Sequence, residues 1–537
     1  MKKLLFWALL LTTGFALYSC DERFDNPVTG GETVQATTFT YEASIKFADV
    51  NWNYWDDDAQ EYKYYEAPKT VYVYNEKFQL LGELKAKEDI VAGDFNKFSG
   101  KLTGEIGEKL FISSLKDFEA AGNLDGTWET VIKYGVLMAA EAPIIIKNTV
   151  GNTIATKNVT LENKTTVAGF YAYANDWARA NDKTIKITAK GLLSLNATEV
   201  TEKEFTISLK ENQQPNWGFV FPVFGKEADP ENEDYEGIDF KFEIDSENGY
   251  KSIGIFEHFM PDFDDIKAWY GISMQVTDLD LTKYAAYLKG DNENIPATNI
   301  NIYNYDADLS ITQSENEALP IYLYIYGRKN VTFNGLNIRY LLLRGNYSEN
   351  PENSYDYRPT ITLVGDNVIG SEDNYEWTAM RVYTAATFKG NGSLTVDANG
   401  WGIGIYNYYT FIDSEGENKL LPSGITLEDN VTIKFNKRVE VNSYIEGGET
   451  IPCYIAINGG SFRANKGIQL NSGKVTFGTK ATSLIVASND GGANGVCINS
   501  GGQEAELDDL VEDKTKFNDG IELTDYNFNV RTITPKK

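Results

Sequence analysis

Short runs of alternating apolar and polar residues cover much of the N-terminal half of the chain and predict β-strands. Residues 70–84, TVYVYNEKFQLLGEL, alternate Val71 and Val73 with tyrosines and predict a hairpin that turns at 75–77. Further runs of this kind lie at 97–114, 158–174, 183–195 and 238–245. Units spaced by about 8 to 12 residues are typical of β-sandwiches. We therefore predict one β-sandwich over residues 35–150 and a second over residues 151–290.

The C-terminal part, residues 296–537, has a different pattern, in which short β-rich runs are broken by Gly, Asn or Asp. The sequence Ile-Asn-Gly-Gly at 457–460 is echoed by Leu-Asn-Ser-Gly at 470–473 and Ile-Asn-Ser-Gly at 498–501. Such repetition is typical of solenoids. We predict a right-handed parallel β-helix, whose coils stack about 4.8 Å apart with apolar side chains inside and Gly or Asn at the corners. The alternative is a third sandwich of antiparallel strands.

Composition supports an all-β fold and narrows the choice of partners. The 537 residues include 33 Tyr, 28 Phe and 46 Gly, and few windows have helical periodicity. This length corresponds to about three domains. The formal net charge of −29 argues against nucleic acid, because phosphate binding needs cationic surfaces. The same charge repels polyanions over most of the surface, so neutral glycans or another protein fit better.

The start of the chain predicts a secretory signal. Two lysines precede an apolar run at 4–17, which is shorter than the roughly 20 residues of a membrane-spanning helix. Residues 17–20, Leu-Tyr-Ser-Cys, resemble the lipobox of bacterial lipoproteins, in which the signal is removed and the cysteine carries lipid. This resemblance implies a signal peptide over residues 1–19 and lipidation of Cys20. The alternative is an ordinary signal peptide with a coincidental cysteine.

The residues after Cys20 predict a tether, because residues 20–34 are polar and offer little apolar surface to bury. Their acidic start is similar to the export tags of surface lipoproteins in gut-type anaerobic Gram-negative bacteria. The resemblance implies an outer-membrane protein that is lipid-anchored at the cell surface. The periplasmic leaflet is the alternative location.

Residues 35–270 resemble the fimbrillin family, the lipoprotein subunits of type V fimbriae and their surface relatives. The resemblance rests on VYVYNEKFQLLGEL followed by LTGEIGEKLFIS, and on VTLENKTTVAGFYAYA followed by IKITAKGLLSL. It implies transthyretin-like sandwiches that exchange strands between subunits. The chain departs from fimbrillins by continuing well beyond the second sandwich, which weakens the interpretation as a shaft subunit.

Residues 359–405 resemble a carbohydrate-binding β-helix family related in fold to pectate lyases. The segments that carry this resemblance are TITLVGDNVIG and ATFKGNGSLTVDANGWGIGI. The resemblance implies that the C-terminal β-helix binds glycans.

The sequence offers few catalytic residues. His258 is the only histidine, so Ser-His-Asp triads, Cys-His pairs and common zinc sites are nearly excluded. Cys453 and Cys497 either form one disulfide or stay free. Lyases with a β-helix fold use calcium and an Arg or Lys base, and this resemblance leaves such a role open for Arg339, Arg344, Arg358, Arg381 and Arg463.

Two aromatic stretches, at 51–65 and 401–411, are candidate glycan platforms. Sugar rings pack their C–H faces on aromatic planes, while nearby Asp and Asn side chains bind the hydroxyls. The alternative role for both stretches is to pack strands or cover a sheet edge. The candidate residues are Trp52, Tyr54 and Trp55 in the first stretch and Trp401, Tyr406, Tyr408 and Tyr409 in the second.

Asp56, Asp57 and Asp58 lie within the first aromatic stretch and are either a Ca²⁺ site or a solvated turn. No other cofactor is expected. The function hypothesis is a non-catalytic glycan-binding or adhesion lipoprotein on the cell surface. Its partners would be a polysaccharide or glycoprotein glycan, the membrane through the lipid anchor, and fimbrial subunits. The alternatives are a β-helix polysaccharide lyase or hydrolase, and a fimbrial tip or anchor subunit.

Overall fold

The computed structural model is almost entirely β, as the composition predicts. The predicted signal peptide, Cys20 and the tether lie outside the described residues, as do Tyr408 and Tyr409. Within the described part of the chain, no helix is long and apolar enough to cross a membrane. The described residues are 37–104, 108–116, 125–140, 144–145, 153–173, 184–193, 200–208, 217–224, 237–260, 269–303, 307–327, 329–345, 347–349, 355–370, 376–407, 410–412, 414–442, 445–446, 449–450, 453–471, 473–487, 495–498, 503–523 and 529–537.

The first unit consists of ten strands and one short α-helix that continues into a π-helical segment, Val131–Gly135. The helix is Trp128–Thr130 (α1). The strands are Thr37–Phe47 (β1), Asn53–Asp56 (β2), Glu61–Tyr64 (β3), Thr70–Tyr74 (β4), Leu80–Ala86 (β5), Asn96–Gly104 (β6), Lys109–Ser113 (β7), Met138–Ala140 (β8), Ile144–Ile145 (β9) and Thr153–Asn163 (β10).

The main sheet of this unit closes into a seven-stranded barrel instead of the predicted two-sheet sandwich. Its order is β4-β5-β6-β1-β10-β8-β7, and β7 pairs again with β4. Val73 of β4 therefore lies opposite Gly82 in β5 and Ile112 in β7, so both edges of the predicted hairpin strand are paired. Closure leaves no free edge in the ring. The barrel core includes the fully buried Ile45 and Phe98.

The second unit consists of two sheets that face each other, which is the sandwich-like arrangement expected for this segment. One sheet has the order β14-β11-β17, and the other runs β13-β12-β15-β16-β18. Phe170 of the first sheet packs between them, with its ring centroid 5.0 Å from that of Phe242 in the second. The strands are Thr165–Tyr173 (β11), Thr184–Leu193 (β12), Val200–Ser208 (β13), Trp217–Phe224 (β14), Ile238–Asp245 (β15), Tyr250–Phe259 (β16), Trp269–Ser273 (β17) and Gln275–Asp280 (β18).

Helix α2, Leu281–Lys289, connects this unit to the C-terminal part. Asp280 caps its N-terminus by accepting hydrogen bonds from the backbone N–H groups of Thr282 and Lys283. The sheet itself continues across the connection, because β18 pairs in parallel with the strand Leu309–Thr312. The predicted domain boundary here stays a prediction, and the two parts share one continuous core.

The C-terminal part contains the remaining strands and helix α3, Leu507–Leu510. The strands are Thr298–Ile302 (β19), Leu309–Thr312 (β20), Leu319–Tyr326 (β21), Asn330–Asn334 (β22), Asn337–Arg344 (β23), Tyr347–Ser348 (β24), Tyr355–Asp356 (β25), Thr360–Val364 (β26), Asp366–Ile369 (β27), Thr378–Val382 (β28), Ala385–Gly390 (β29), Ser393–Val396 (β30), Trp401–Tyr406 (β31), Thr410–Ile412 (β32), Asn418–Leu420 (β33), Gly424–Leu427 (β34), Thr432–Phe435 (β35), Arg438–Asn442 (β36), Ile445–Glu446 (β37), Glu449–Thr450 (β38), Tyr454–Ile457 (β39), Gly460–Ala464 (β40), Ile468–Asn471 (β41), Lys474–Phe477 (β42), Ala481–Ala487 (β43), Val496–Ile498 (β44), Gln503–Glu504 (β45), Phe517–Leu523 (β46) and Asn529–Pro535 (β47).

Most of these strands belong to three stacks in which neighbours pair in parallel. The first stack runs β20-β22-β26-β29-β34-β39-β42, the second β27-β30-β35-β40-β43, and the third β19-β21-β23-β28-β31-β36-β41-β44. Consecutive strands of the chain visit the stacks in rotation, as β29, β30 and β31 do. Inward positions are apolar and buried, such as Phe388, Leu394 and Ile403.

The corners between stacks hold the residue types that the sequence predicts, in two different roles. Gly365, Gly390 and Gly460 have positive φ there. The asparagines instead form a ladder, in which Asn436 Nδ2 donates to Asp397 Oδ2 at 3.0 Å and Asn465 Nδ2 donates to Asn436 Oδ1 at 3.1 Å. No described asparagine has positive φ.

An antiparallel hairpin, β46–β47, ends the second stack by pairing with β43. Arg531 of β47 is buried and binds the Asp519 carboxylate with two nitrogens, at 3.0 and 2.8 Å. Cys453 and Cys497 are both buried and no disulfide joins them, so of the two alternatives left open by the sequence the structure has the reduced one.

Candidate functional site

The outer surface of the third stack collects aromatic rings and arginines. On these parallel strands the inward positions are apolar, so the alternating positions point away from the core. We call this surface the tyrosine–arginine face. Its members are Tyr322, Tyr324, Tyr326, Arg339, Tyr340, Arg344, Trp377, Arg381, Tyr383, Trp401, Tyr406, Arg438 and Glu440.

The centre of the face is a row across three neighbouring strands. Arg381 of β28 lies beside Gly404 of β31, and Gly404 lies beside Glu440 of β36. A Cβ atom at Gly404 would be 2.4 Å from Cε2 of Tyr406, so the Tyr406 ring lies over the glycine. The Tyr406 hydroxyl donates a hydrogen bond of 2.8 Å to Glu440 Oε2. The absence of a side chain at position 404 therefore allows this ring position.

Glu440 is a buried carboxyl group, with 5% of the residue exposed. Burial raises the pKa of the Glu440 carboxyl, while the Tyr406 hydroxyl and the charge of Arg438 oppose that rise. Asn471 Nδ2 approaches the other carboxyl oxygen at 3.5 Å. The ionised form of Glu440 therefore depends strongly on one short hydrogen bond, from Tyr406.

Two tryptophans and an arginine lie beside the row, where its three strands begin: Trp377 directly precedes β28, Trp401 begins β31 and Arg438 begins β36. The Arg438 guanidinium carbon is 5.9 Å from the centre of the Trp401 ring, within range of a cation–π interaction. The Arg438 Nε atom is buried and has no hydrogen-bond partner in the described part of the chain. Trp377 lies over Gly400, where a Cβ atom would be 2.6 Å from its ring. Trp377 is 63% exposed and presents its ring to solvent.

A group of tyrosines lies at the other end of the face, on strands β21 and β23 and directly after β19. The rings of Tyr303 and Tyr326 stack at 5.2 Å and 13°, and those of Tyr324 and Tyr326 at 6.3 Å and 5°. Tyr340 packs 5.6 Å from Tyr324. Burial raises the pKa of the Tyr340 hydroxyl, which therefore stays protonated and able to donate.

Arginine side chains are held among these tyrosines. The Arg339 guanidinium carbon is 5.8 Å from the Tyr322 ring centre, and Tyr322 donates a hydrogen bond of 3.0 Å to Glu376. Arg381 is solvent-exposed and hydrogen-bonded to Tyr383. The face thus presents flat rings together with donors and acceptors, which are the components of saccharide sites.

The first predicted platform is placed on the hairpin β2–β3 of the barrel unit. Trp52 is 8% exposed and belongs to the barrel core, so its ring is not available to a ligand. Tyr54 also packs against that core. Trp55 is 46% exposed and meets the Tyr62 ring edge-on at 5.0 Å. Of the three predicted residues, Trp55 is the most exposed, and Tyr54 is partly buried.

The aspartates of this hairpin form its turn. Asp56 Oδ1 accepts hydrogen bonds from the backbone N–H groups of Asp58 at 3.0 Å and Ala59 at 2.9 Å. This pattern is an Asx turn, in which the carboxylate satisfies backbone donors. Among the described residues, no group of three or more His, Cys, Asp or Glu side chains is arranged to hold a metal ion.

The second predicted platform falls on the tyrosine–arginine face. Trp401 and Tyr406 lie at the two ends of β31, and both take part in its contacts. Arg339, Arg344 and Arg381, which the sequence leaves open for lyase chemistry, lie on the same face. Arg358 instead pairs with Asp356, and Arg463 lies on β40 of the second stack.

Sequence reasoning missed Trp377, Arg438, Glu440 and the tyrosines of β21. A signal for the last group is present, because LPIYLYIY alternates tyrosine with buried aliphatic residues. Tyrosines repeated at period two place their rings together on one side of a strand.

Comparison with known proteins gives no family assignment. No family model matches the chain, and no curated protein matches it. Among solved structures, a candidate cell adhesion protein from Bacteroides ovatus ATCC 8483 is 11% identical, with a TM-score of 0.20 over 45% of this chain and 96% of that chain. A candidate cell adhesion protein from Parabacteroides distasonis ATCC 8503 is 10% identical, with a TM-score of 0.18 over 44% and 96%. The shaft pilin SpaA from Lactobacillus rhamnosus GG is 9% identical, with a TM-score of 0.17 over 45% and 97%. At these TM-scores the similarities carry no argument about fold or function.

Proposed function

We propose that the protein is a non-catalytic glycan-binding or adhesion protein that uses the tyrosine–arginine face of its C-terminal part. The observation that carries the proposal is the exposed ring of Trp377 next to Trp401, whose backbone N–H donates a hydrogen bond of 2.7 Å to the Trp377 carbonyl and whose ring lies 5.9 Å from the Arg438 guanidinium carbon. Sugar C–H faces pack on such rings, and the adjacent polar groups meet the hydroxyls.

The scaffold of this site is proposed to be a right-handed parallel β-helix. The rotation of consecutive strands among three parallel stacks supports the helix. Right-handedness is supported by the general rule that crossovers between parallel strands are right-handed in about 98% of cases. A stack of this kind places side chains from distant parts of the sequence on one continuous outer surface.

The test of glycan binding compares two exposed tryptophans. Native gels containing a panel of soluble polysaccharides should retard the protein without releasing shorter products. Trp377→Ala should weaken binding about 5- to 30-fold, because exposed-ring anchors contribute roughly 1 to 2 kcal/mol at binding sites. Trp55→Ala, on the barrel hairpin, is the matched control and should bind as the unaltered protein does. If Trp55→Ala abolishes the retardation and Trp377→Ala does not, the glycan binds to the barrel unit and not to the tyrosine–arginine face.

The anchor is proposed to be lipid on Cys20, which would hold the protein on the outer membrane at the cell surface. The support is the lipobox resemblance of residues 17–20. Two or more acyl chains give durable attachment. The mature protein should carry acyl mass on its first residue, and Cys20→Ser should release it into the soluble fraction. A mature N-terminus without acyl mass would contradict the anchor.

Glu440 favours a polysaccharide lyase or hydrolase as the second candidate. Its buried carboxyl has a raised pKa and contacts Tyr406, as expected of a general acid. Incubation with the same polysaccharides separates the two candidates. Unsaturated or new reducing ends that disappear with Glu440→Gln would establish catalysis, and binding without products would support the non-catalytic role.

A further inference from the structure

The C-terminal hairpin leaves one long sheet edge open. β46, Phe517–Leu523, is the last strand of its sheet, and no strand in the described part of the chain pairs with its other side. A Cβ atom at Gly520, in the middle of β46, would have nothing within 4 Å. Another strand can therefore reach this edge.

Other sheet edges of the molecule have features that discourage pairing with another chain. β13 ends its sheet and presents the exposed carboxylates of Glu202 and Glu204. β45, which ends the third stack, has only two residues. Charged side chains and short edge strands both discourage edge-to-edge pairing. β46 is different, because it has seven residues, contains neither Lys nor Pro, and pairs with β47 without a β-bulge.

The hydrogen bonds of the hairpin show which backbone groups of β46 face the open edge. The Lys536 N–H donates to the Lys516 carbonyl at 2.8 Å, and Pro535, which lies opposite Phe517, has no N–H to donate. In an antiparallel pair, residues that exchange hydrogen bonds alternate with residues that do not. The even-numbered residues of β46 therefore bond to β47. The N–H and C=O groups of its four odd-numbered residues point to the open edge.

The backbone of this edge is complementary to itself. When two copies of β46 lie antiparallel with Gly520 of each on a two-fold axis, every odd-numbered residue faces an odd-numbered residue of the other copy. All the outward N–H and C=O groups then have partners. Any other register leaves at least one odd-numbered residue of the strand without a partner strand residue. Gly520 on the axis is therefore the register with the most hydrogen bonds.

The side chains also suit this register. The opposed pairs are Phe517 with Leu523, Asn518 with Glu522, and Asp519 with Ile521. No carboxylate faces another, and Asp519 is already bound to Arg531 of its own chain. Leu523 and Ile521 are 71% and 50% exposed in the single chain, and the second copy would cover them. Burial of these apolar side chains adds to the backbone hydrogen bonds.

From this arrangement we infer that two copies of the chain form a dimer through β46, as an antiparallel strand pair with Gly520 on the two-fold axis. The sheet continues across the axis, so the two copies extend in opposite directions from the shared edge. The dimer is closed, because each copy contributes the same edge. This inference goes beyond the proposed glycan binding and does not depend on it.

The dimer is weak and depends on salt. One pair of strands is a small interface, and small interfaces are typical of transient complexes. Each copy has a formal charge of −29, so the two copies repel each other at low ionic strength. The Debye length shortens from about 30 Å at 0.01 M salt to about 8 Å at 0.15 M, so dimerisation should strengthen over this range.

Sedimentation of the soluble Cys20→Ser chain, at concentrations up to about 1 mM, tests the dimer. We expect a monomer–dimer equilibrium. Asn518 and Glu522 are both exposed, so changes at position 518 should leave the thermal midpoint of the monomer unaltered. Asn518→Lys should tighten the dimer about 2- to 30-fold, because the axis repeats the new charge pair with Glu522 twice. Asn518→Glu, its matched opposite, should weaken the dimer by a similar factor.

Gly520→Cys tests the register. In the dimer the two copies of residue 520 form a non-hydrogen-bonded pair with Cα atoms about 4.5 Å apart, which is within disulfide range. The oxidised variant should therefore run as a dimer on a non-reducing gel. Glu522→Cys is the matched control and should not cross-link, because Asn518 lies opposite it. Cys453 and Cys497 are buried in both variants.

The contrary outcomes are distinct. A chain that stays monomeric over the whole concentration range would overturn the inference. Cross-linking through position 522 and not through position 520 would overturn it as well. Equal effects of Asn518→Lys and Asn518→Glu would show that β46 is not the contact, and oligomers that grow beyond two copies would show that the contact is not closed.

Discussion

The hydrogen bond between Tyr406 and Glu440 offers the sharpest test of the site geometry. Tyr406→Phe keeps the ring over Gly404 and removes only the donor 2.8 Å from Glu440 Oε2. The other described donor, Asn471, is at 3.5 Å and is too long to replace it. The variant therefore leaves a buried carboxylate without its main partner.

The expected cost follows from these contacts. A hydrogen bond to a charged group contributes about 1.5 to 3 kcal/mol, and the lower half of that range applies because Tyr406 is only partly buried. The loss should be largest at neutral pH. Tyr406 lowers the pKa of Glu440 from the value that burial alone would give, so the variant raises that pKa further. As pH falls towards the ordinary carboxyl value of 4.5, Glu440 is protonated and the cost should shrink.

Urea unfolding at pH 7 and at about pH 4, followed by far-UV circular dichroism, measures this cost at both pH values. Tyr454→Phe is the matched control, because its ring also packs over a glycine, Gly424, and no hydrogen bond to its hydroxyl occurs among the described residues. The control should change stability by less than about 0.5 kcal/mol. Equal losses for the two variants, or a loss for Tyr406→Phe that grows at low pH, would refute this account of Glu440.

Three further substitutions test the same structure. Glu440→Gln should stabilise the protein at pH 7, and this gain should disappear below about pH 4.5. The reason is that the folded protein loses stability as pH rises and a carboxyl group with a raised pKa ionises. Thermal unfolding across this pH range measures the gain. Gly404→Ala should displace the Tyr406 ring and weaken both stability and glycan binding. Adding Tyr406→Phe to this variant should lower the free energy of unfolding little further. Additive losses of stability would show that the two residues act independently. Phe170→Ala should cost about 3 to 5 kcal/mol in denaturant unfolding, because its ring fills the space between two sheets; a loss under about 1 kcal/mol would contradict that packing.

Much of the fold follows from local pattern. Alternating residues at 70–84 predict the hairpin that β4 and β5 form, and the Gly- and Asn-broken runs after residue 296 predict short strands with glycine corners. Closure of the barrel does not follow, since a strand buried on one side has the same alternation in a barrel or an open sheet. It depends on the contact between Val73 and Ile112, which no local pattern contains.

The site was harder to predict for a related reason. Its members come from different coils, and inserted hairpins such as β32–β33 and β37–β38 make the coils unequal in length. The sequence separation between Arg381, Gly404 and Glu440 therefore does not reveal that they are neighbours. Sequence reasoning found Trp401 and Tyr406 because they are aromatic, and missed Glu440 because an isolated acidic residue is usually solvated.

The direction of the row predicts how a linear glycan is oriented on the face and how its affinity depends on length. Tyr324, Leu342, Arg381, Gly404 and Glu440 are successive neighbours across five parallel strands. With strands about 4.8 Å apart, the part of this register between Tyr324 and Glu440 spans about 19 Å along the stack. A linear glycan on this face should therefore lie across the strands, and affinity should rise with oligosaccharide length until the chain covers that distance. Isothermal titration with a size series of one oligosaccharide that binds measures the length at which affinity becomes constant. Affinity that is already constant for a single sugar would mean that one pocket, and not the row, binds the ligand.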